Sequence, residues 1–420
     1  MDNKQVLEKF ARLVAIESVS TDSKRHKEIL EAAEFIKKEL VSLGCQVNLY
    51  QKGNCSPLII GKKIISSNVK TIGIYAHYDV QPEDPVDKWK TPPFKLTVKN
   101  GKIYGRGVAD DKGHLIEILT AAKKLIETKK LKNNLVFIFE GEEEIGSRNF
   151  EELVKKDSLL KKVDVFYVVD MGMKTKNIPQ IFYGLRGITT FELMIKTSET
   201  DLHSGVYGNR ALNPAQLLAD LMSKMKEGQT RKVKIPGFYD DVRKTSQEEV
   251  DLLSKSNKTL ISKIYPGLDI NGMVAGYTGE GSKTIIPASA LVKFSIRLVP
   301  DQDHKKIEQL VEKFIKDNLP KAVDYKLKIG RGSNAFYTDF KNHYAKKTAR
   351  IFEEVFKGKT LFDRSGGSVA AAEILQRLFK KPVVLIGFAL PDENIHAPDE
   401  NIDLEVFFKG VLAIEKIFAQ

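Results

Sequence analysis

The sequence predicts an α/β protein in which a largely parallel mixed sheet, covered by helices on both faces, is interrupted by a smaller inserted α+β domain. Short and almost entirely apolar segments, such as residues 135–139, alternate with amphipathic helical segments, as is typical of parallel strands buried on both faces. Near Gly187 the pattern changes to strands that alternate apolar and polar residues, and the first pattern returns beyond Asn342. A chain of 420 residues is longer than one hydrophobic core usually supports, so two domains are expected.

The first part of the chain opens with two predicted amphipathic helices, at residues 5–16 and 25–43, because their apolar residues recur three and four positions apart. The pair Asn100-Gly101 predicts the turn of a short hairpin that joins residues 95–98 and 102–104. The other elements predicted here are strands at residues 46–50, 56–61, 71–75, 135–139 and 163–169, and helices at residues 113–124 and 150–155.

The inserted domain is predicted from a second series of strands and helices, with strands at residues 188–196 and 291–298 and helices at residues 214–225 and 305–317. The chain then returns to the first domain with helices at residues 344–356, 369–378 and 404–417 and a strand at residues 382–387. The predicted organisation is a catalytic domain formed by residues 1–186 and 342–420, with an inserted lid and dimerisation domain at residues 187–341.

The composition is that of an ordinary soluble protein, with 42% hydrophobic and 29% charged residues. The net charge of +12 makes nucleic-acid binding an alternative to consider. The excess, however, is mostly lysine in scattered pairs, without the aromatic-interleaved basic stripe on which bases stack. We therefore expect a solvated basic surface and no nucleic-acid partner.

Cysteine usage and hydropathy indicate the compartment. The chain has two cysteines, Cys45 and Cys55; a disulfide between them stays open, but free thiols in a reducing cytosol are the favoured interpretation. The N-terminus lacks the apolar region of a signal peptide, and no apolar segment approaches the ~20 residues that span a bilayer. We expect a cytoplasmic protein without a membrane partner.

Acids and histidines follow the ends of several predicted strands, at His77, Asp79, Asp110, Asp111, Glu142, Glu143, Glu144, Asp170 and His396. Ligands of open α/β sheets gather where strands end, so these side chains can converge. Together the carboxylates would repel one another, and two divalent cations would remove that repulsion, with a shared carboxylate bridging ions ~3.5–4 Å apart. From spacing alone, a set of ordinary caps and surface groups stays an open alternative.

Several strings resemble the motifs of the M20 metallopeptidase family, and in particular its dipeptidase (carnosinase-like) branch. They are Ala-His-Tyr-Asp-Val-Gln-Pro at residues 76–82, Tyr-Gly-Arg-Gly-Val-Ala-Asp-Asp-Lys-Gly at 104–113, Glu-Gly-Glu-Glu-Glu-Ile-Gly-Ser at 140–147, Tyr-Gly-Leu-Arg-Gly at 183–187, Asp-Leu-His-Ser-Gly at 201–205 and Arg-Ser-Gly-Gly-Ser at 364–368. The resemblance extends from the Ser18-Val19-Ser20 region almost to the C-terminus.

The resemblance implies two divalent metal ions per subunit, with Zn²⁺, Mn²⁺ and Co²⁺ as the candidates. It implies that one ion is held by His77, Asp110 and Asp170, and the other by Asp110, Glu144 and His396. It also implies a cis peptide bond between Asp110 and Asp111.

The resemblance further implies that Glu143 is the general base and that Asp79 fixes the tautomer of His77. Because three glutamates are consecutive, the pair Glu142-Glu143 stays open as an alternative to Glu143-Glu144 for base and ligand. His203 would stabilise an oxyanion, reaching across from the partner subunit of a homodimer, although it could instead be a helix cap.

The expected activity is hydrolysis of the amide bond of dipeptides or short peptides with a free C-terminal carboxylate. Its candidate substrate-binding residues are Thr284, Arg297, Arg364, Gly366, Gly367 and Ser368. Arg297 could clamp the carboxylate with its guanidinium, or could be an ordinary exposed strand residue. Two alternatives are an N-acyl amino acid or diamine deacylase of the same family and a non-catalytic binding protein, which has no need for the base Glu143.

Overall fold

The computed structural model describes residues 2–256 and 260–420. The chain divides into two compact units. The first comprises Met1–Tyr183, Thr338–Asp363 and Val369–Gln420, and the second comprises Gly184–Tyr337 and Arg364–Ser368. The predicted role of the inserted segment as a lid and dimerisation domain stays a prediction.

The helices of the described residues are α1 Asn3–Val14, α2 His26–Ser42, α3 Lys112–Glu127, α4 Phe150–Val154, α5 Ser204–Tyr207, α6 Pro214–Met225, α7 Gln247–Ser256, α8 Leu260–Ile264, α9 His304–Asn318, α10 His343–Phe356, α11 Ala370–Phe379 and α12 Leu404–Phe418. Their apolar spacing explains how they pack. Helix α1, for example, begins with a capping box formed by Asp2 and Gln5, and buries Val6 and Phe10 on one face. The Phe10 ring stacks on Phe407 of α12 at 5.3 Å.

The strands are β1 Gln46–Tyr50, β2 Leu58–Lys63, β3 Thr71–His77, β4 Thr97–Lys99, β5 Lys102–Tyr104, β6 Asn134–Glu140, β7 Val165–Val169, β8 Gln180–Leu185, β9 Gly187–Lys196, β10 Leu202–His203, β11 Gly267–Ala275, β12 Ile285–Ile286, β13 Ser289–Leu298, β14 Asp324–Ile329, β15 Phe336–Tyr337, β16 Leu361–Arg364, β17 Val383–Ile386 and β18 Asn401–Asp403. The chain passes from the first unit into the second within β8.

The central sheet of the first unit has the order β1-β2-β6-β3-β7-β17-β8. Its middle strands β6, β3, β7 and β17 are parallel, whereas β1, β2 and β8 pair antiparallel at the two sides. Strands β3, β6 and β7 are buried along their whole length. This confirms the predicted α/β class with a mostly parallel central sheet. Parallel strands also place their carboxyl ends at the same edge of the sheet, where the candidate ligands follow.

The second unit is built around an antiparallel sheet with the order β11-β13-β9-β14. Strands β9 and β13 bury every second residue. Their buried faces pack with α6 and α9 in one core, which includes Phe191, Leu218, Phe294 and Val311. This arrangement agrees with the predicted α+β character.

Most predicted elements are present, with boundaries shifted by one to a few residues. Strand 46–50 and helix 214–225 begin and end where predicted. The predicted strand 163–169 begins at Val165, and the first strand of the hairpin begins only at Thr97. Among the strands not predicted is β11, in which Leu268 is buried but most of the following residues are exposed, so no alternation marks it.

Both cysteines are free thiols, Cys45 buried and Cys55 partly buried, so the alternative of a disulfide is wrong. Within residues 2–256 and 260–420, no helix combines the length and the apolar character that crossing a membrane requires.

Candidate active site

The predicted metal ligands follow the carboxyl ends of the parallel strands of the first unit. His77 is the last residue of β3, and Asp170 follows β7 directly. Glu143 and Glu144 lie in a 3₁₀ turn just after β6, whose last residue Glu140 is paired with His77. The loop before α3 supplies Asp110, and the segment after β17 supplies His396.

Asp110 connects two groups of side chains, each with one histidine. Its Oδ1 lies 2.9 Å from Nε2 of His77, and its Oδ2 lies 2.9 Å from Nε2 of His396. On the first side, Oδ1 of Asp170 lies 3.8 Å from Nε2 of His77. On the second side, Oε2 of Glu144 lies 3.4 Å from Nε2 of His396. The structure therefore brings the five predicted ligands together, with the two oxygens of one carboxylate directed to different histidines.

Asp110, Glu144 and His396 form one group whose ligand atoms all lie within 4.8 Å of one another, and His77, Asp111 and Asp170 form another. Asp111 is fully buried, and its carboxylate already accepts the backbone N–H of His77 at 3.0 Å and contacts Nδ1 of His114. These contacts occupy both of its oxygens, so Asp111 is better suited to hold the backbone of His77 than to bind an ion. The peptide bond between Asp110 and Asp111 is cis, as the family resemblance implied.

The acids and histidines of this cluster perturb one another strongly. Hydrogen bonds to Asp110 and Glu144 raise the pKa of His396 to about 10. Burial opposes a charge on His77, but hydrogen bonds to Asp110, Asp170 and Asp79 outweigh it and raise the pKa of His77 well above its usual value. Burial raises the pKa of Asp170 to about 7, against the effect of His77. The raised pKa values of the two histidines indicate that the surrounding carboxylates favour a positive charge here, which metal cations would also supply.

The three consecutive glutamates have different surroundings. The Glu142 carboxylate is buried and accepts the backbone N–H groups of Ser56 at 3.2 Å and Asn149 at 3.1 Å. Glu144 Oε2 accepts from the Gln81 side chain at 2.7 Å, whereas its buried Oε1 has no hydrogen-bond partner among the described residues. Glu142 therefore has a structural environment, while Glu144 presents an unsatisfied oxygen in the group with Asp110 and His396.

Burial raises the pKa of Glu143 well above its usual value, and the charges of Asp170, Glu144 and Asp110 act in the same direction, against His77. A carboxyl group with a raised pKa next to a candidate metal site is suited to accept and return a proton.

Asp79 contacts both sides of the cluster. Its backbone oxygen lies 3.0 Å from Nδ1 of His77, and its carboxylate lies farther, at 3.5 Å. The same carboxylate accepts the backbone N–H groups of Glu143 at 3.2 Å and Glu144 at 3.1 Å. Asp79 thus lies beside His77 as expected, with its backbone nearest the ring and its side chain holding the turn of the two glutamates.

In the second unit, His203 and Thr284 belong to one small substructure. Strand β10, which ends at His203, pairs with β12, and the N–H of Ser204 donates to the oxygen of Thr284 at 3.1 Å. His203 is exposed and caps helix α5, because its Nδ1 accepts the N–H of Gly205 at 3.0 Å. Since Nδ1 accepts, the neutral ring carries its proton on Nε2. The cap interpretation is thus compatible with a free Nε2–H donor.

Arg297 lies on β13, is half-buried and makes no ion pair with any residue that the structure describes. Arg186 lies next to it, in the motif at residues 183–187. Burial and the charge of Arg297 both lower the pKa of Arg186. The buried Nε of Arg186 has no hydrogen-bond partner among the described residues. Asp269 acts on the Arg186 pKa in the opposite direction, but its carboxylate pairs with Lys226 at 3.0 Å. The two neighbouring guanidinium groups therefore form a candidate anion site.

The segment with Gly366 and Gly367 is close to the same place in the second unit, because the backbone N–H of Arg186 donates to the oxygen of Gly367 at 3.1 Å. Gly366 and Gly367 are exposed, and Ser368 is half-buried. This segment can therefore present backbone and hydroxyl donors near the two arginines.

Arg364 differs from the other predicted substrate residues because it is buried and its charge is paired with a carboxylate of the protein. Its guanidinium pairs with Glu249 of α7, and the ring of Tyr337 lies 5.1 Å away. The Tyr337 hydroxyl donates to the same Glu249 oxygen at 3.1 Å. These contacts indicate that Arg364 supports the 365–368 segment from within, rather than offering its charge to a ligand. The pairing joins residues far apart in the chain, and no spacing in the sequence marks it.

Comparison with known proteins gives the family. Residues 73–420 match the model of Peptidase family M20/M25/M40. The chain belongs to this family. The chain is also similar to the Cys-Gly metallodipeptidase of Candida albicans, with 32% identity over an alignment 448 positions long. The alignment covers 96% of this chain and 92% of that protein. The resemblance to the M20 family is thereby confirmed, and the M20 chain is an enzyme, a metallopeptidase.

Solved structures of M20 proteins share the fold over the whole chain. The M20 family metallo-carboxypeptidase Sso-CP2 from Sulfolobus solfataricus is 31% identical, with a TM-score of 0.89, and the match covers 100% of this chain and 99% of that one. Human carnosine dipeptidase 1 is 27% identical, with a TM-score of 0.80, and the match covers 99% and 95% of the two chains. The names of these M20 relatives include both dipeptidases and a carboxypeptidase.

Proposed function

We propose that this M20 enzyme is a dinuclear dipeptidase that cleaves the amide bond of dipeptides, or of other short peptides with a free C-terminal carboxylate. The observation that carries the proposal is the geometry of Asp110, whose two oxygens each lie 2.9 Å from a different histidine. A bridging carboxylate between two ions needs this arrangement, with a further acid on each side.

The residues of the cluster fit a pair of divalent ions. His77, Asp110 and Asp170 would hold one ion, and Asp110, Glu144 and His396 the other. Imidazole nitrogen and carboxylate oxygen suit Zn²⁺, Mn²⁺ and Co²⁺. The buried Glu144 Oε1, which has no partner among the described residues, also fits a ligand atom. When bound, such ions polarise a peptide carbonyl and lower the pKa of a water molecule.

The protein side chains supply the remaining chemistry. Glu143 would take a proton from the attacking water and pass it to the leaving amine, which its raised pKa supports. Asp79 would hold Glu143 and His77 in place through the contacts described above. Nε2–H of His203 would stabilise the oxyanion of the tetrahedral intermediate. Thr284 would form part of the same substrate-binding region.

Arg297, joined by Arg186, would bind the substrate carboxylate, with Gly366, Gly367 and Ser368 as further donors. Arg364 would act indirectly, by supporting that segment through Glu249. The absence of a carboxylate partner for Arg297 among the described residues supports this part of the proposal.

The comparisons favour dipeptides but leave a second candidate. Two relatives are named for dipeptides, one for Cys-Gly and one for carnosine. The structure from Sulfolobus solfataricus is named a carboxypeptidase, which favours removal of the C-terminal residue from longer peptides. An N-acyl amino acid also has a free carboxylate, so a deacylase stays an alternative.

A substrate panel tests these possibilities. Metal-free protein would be loaded with Zn²⁺, Mn²⁺ or Co²⁺ in turn and assayed on dipeptides, longer peptides, N-acetyl amino acids and C-terminally amidated dipeptides. Our proposal expects the highest kcat/KM on dipeptides and a large loss on the amides. Preference for longer peptides would support the carboxypeptidase, and preference for N-acetyl amino acids the deacylase.

We further propose a homodimer formed through the second unit. Strand β11 is at the edge of its sheet and exposes Ile270, Met273 and Val274 by 50%, 44% and 60%. An apolar edge strand of this kind is suited to pair with a second copy. In such a dimer, His203 of one subunit would serve the metal site of the other.

Mixing two inactive variants tests the dimer. Homodimers of His203→Ala and of Glu143→Gln should each be nearly inactive. Unfolding and refolding them together should restore up to roughly a quarter of wild-type activity, because half of the randomly formed dimers are mixed and each of those has one intact site. Mixed dimers without recovered activity would show that His203 does not act across subunits.

We also propose a cytoplasmic location. Two free cysteines and no disulfide are the usage expected in a reducing compartment.

A further inference from the structure

Glu400, on the same segment as His396, has a carboxylate saturated with hydrogen-bond donors. Its side chain is fully buried. Oε2 accepts from Nη1 of Arg106 at 2.7 Å and from the N–H of Gly107 at 2.9 Å. Oε1 accepts the N–H of Ala109 at 2.9 Å and the N–H of Asp110 at 3.1 Å. This carboxylate has no oxygen left for substrate or metal, so its effect must be on the segment that it holds.

Arg106 extends the same contact to a third segment. Its guanidinium is buried with Glu400, and its Nη2 donates to the backbone oxygen of Pro82 at 2.8 Å. Trp89 covers it, with the ring centre 5.3 Å from the guanidinium carbon. The pair therefore joins residues 77–82, 105–110 and 396–400, which carry His77, Asp110 and His396. We call Glu400 and Arg106 the Glu400 clamp.

The conformation of residues 105–110 explains why a clamp is needed. The segment is neither helix nor strand, so its buried N–H groups need acceptors outside regular secondary structure. At Gly107 the backbone has φ 86°, and a Cβ there would lie 2.7 Å from Cγ1 of Val80. The Glu400 carboxylate accepts three of these N–H groups, including that of Asp110 itself.

We propose that Glu400, with Arg106, is a positioning residue for the dinuclear site: it fixes Asp110 and His396 relative to each other and thereby sets the affinity for metal. The inference rests on the proposed function. Partners that orient metal ligands typically contribute about 10- to 100-fold in metal affinity. The clamp acts on the backbone of one ligand and on the segment of another, so an effect in that range is expected.

The test uses Glu400→Gln and Glu400→Asp in the full chain. The Glu400→Gln change keeps the size of the side chain but presents an NH₂ group towards Arg106 and the Gly107 amide. The Glu400→Asp change keeps the charge but leaves the side chain too short to reach all four donors. Asp157→Asn is the matched control, because Asp157 is also a buried carboxylate in an ion pair, 2.6 Å from Lys62, but contacts none of the three ligand segments.

Two measurements are made on metal-free protein. Hydrogen exchange should be faster at the amides of residues 107–110 in both Glu400 variants, after correction for global stability measured by thermal melting. Titration calorimetry with MnCl₂ and with ZnCl₂ should show Kd raised about 10- to 100-fold. Asp157→Asn should lower global stability while leaving the exchange of residues 107–110 and the Kd values as in wild type.

The outcomes distinguish failure of the clamp from failure of the proposed function. A folded Glu400 variant that binds Mn²⁺ and Zn²⁺ as tightly as wild type overturns the clamp proposal but not the proposed function. Unchanged exchange of residues 107–110 in both variants overturns it as well. If Glu400→Gln does not fold, Glu400→Asp decides by the same criteria. Wild-type protein that binds neither metal would contradict the proposed function itself, and the clamp's metal role with it.

Discussion

Each unit contains a cluster of charged side chains, acidic in the first unit and basic in the second. The two clusters differ in which groups compensate their charge. In the first unit, the carboxylates of Asp110, Glu144 and Asp170 surround two histidines and raise their pKa values. In the second unit, Arg297 has no carboxylate partner among the described residues and lies near Arg186. One cluster is suited to bind cations and the other an anion.

Each unit also has a charge that the protein itself balances. Glu400 in the first unit has four donors, and Arg364 in the second has Glu249. Buried charges that are fully paired hold structure together, whereas charges left without a partner mark the places where a ligand supplies one.

The largest effect is expected at Glu143. Glu143→Gln should lower kcat by about 10³-fold, because it removes the proton acceptor, while the metal content stays as in wild type. Glu144→Gln should instead lower the metal content. Steady-state kinetics and metal analysis by mass spectrometry measure both effects.

Glu142→Gln is the matched control, since Glu142 is the adjacent glutamate and its carboxylate bonds to Ser56 and Asn149. It should keep both metal content and most of the turnover. If Glu142→Gln abolished turnover with its metals retained and Glu143→Gln did not, the base would have been assigned to the wrong glutamate.

The next largest effect is expected at the candidate anion site formed by Arg297 and Arg186. Arg297→Lys should raise KM for a dipeptide about 10- to 100-fold, because a charge-assisted bidentate pair of roughly 1.5–3 kcal/mol is lost. The preference for a dipeptide over its C-terminal amide should shrink by a similar factor. Lys293→Met, on the same strand and paired with Glu192, is the control and should change neither quantity. An unaltered acid-over-amide preference in Arg297→Lys would remove Arg297 from the site.

The sequence alone predicts only part of the candidate site. His77 ends one apolar parallel strand and Asp170 follows another, so the strand ends alone predict that they can meet. Assigning Asp110 as the bridge needed the family resemblance, because no spacing reveals which carboxylate faces two histidines. The fold class was predictable because buried strands and amphipathic helices have different periods.

The remaining features depend on tertiary contacts between distant residues. Glu249 pairs with Arg364, and Glu400 accepts the backbone amides of residues 107, 109 and 110. These pairings leave no periodic signal in the chain. Strand β11 escaped prediction because it is exposed along most of its length. Arg186 was visible within a motif, but that its Nε has no hydrogen-bond partner among the described residues appears only once its neighbours are placed.

A smaller effect is expected at Glu117, a buried acid that we expect to be protonated in the folded protein. Both carboxylate oxygens of Glu117 in α3 lack a hydrogen-bond partner among the described residues, and burial raises its pKa well above the usual value. Folding therefore requires proton uptake above the unfolded pKa of about 4.3, and the free energy of unfolding falls as pH rises towards the folded pKa.

Glu117→Gln should remove this contribution, so its stability relative to wild type should increase by about 1.4 kcal/mol per pH unit within that window. Urea unfolding of metal-free protein at about pH 6 and pH 8 measures the difference. Glu127→Gln, at an exposed position of the same helix, is the control and should show no such slope. A wild-type slope retained in Glu117→Gln would mean that Glu117 is ionised in the folded protein.

We infer that the acidic cluster of the first unit binds two divalent ions that share Asp110 as a ligand. Equilibrium dialysis of the metal-free chain against MnCl₂ or ZnCl₂, with metal and protein quantified together, measures the number of ions bound. We expect two ions per chain for wild type and at most one for Asp110→Asn. Fewer than two ions in wild type, or two ions retained with unchanged affinity in Asp110→Asn, would contradict it.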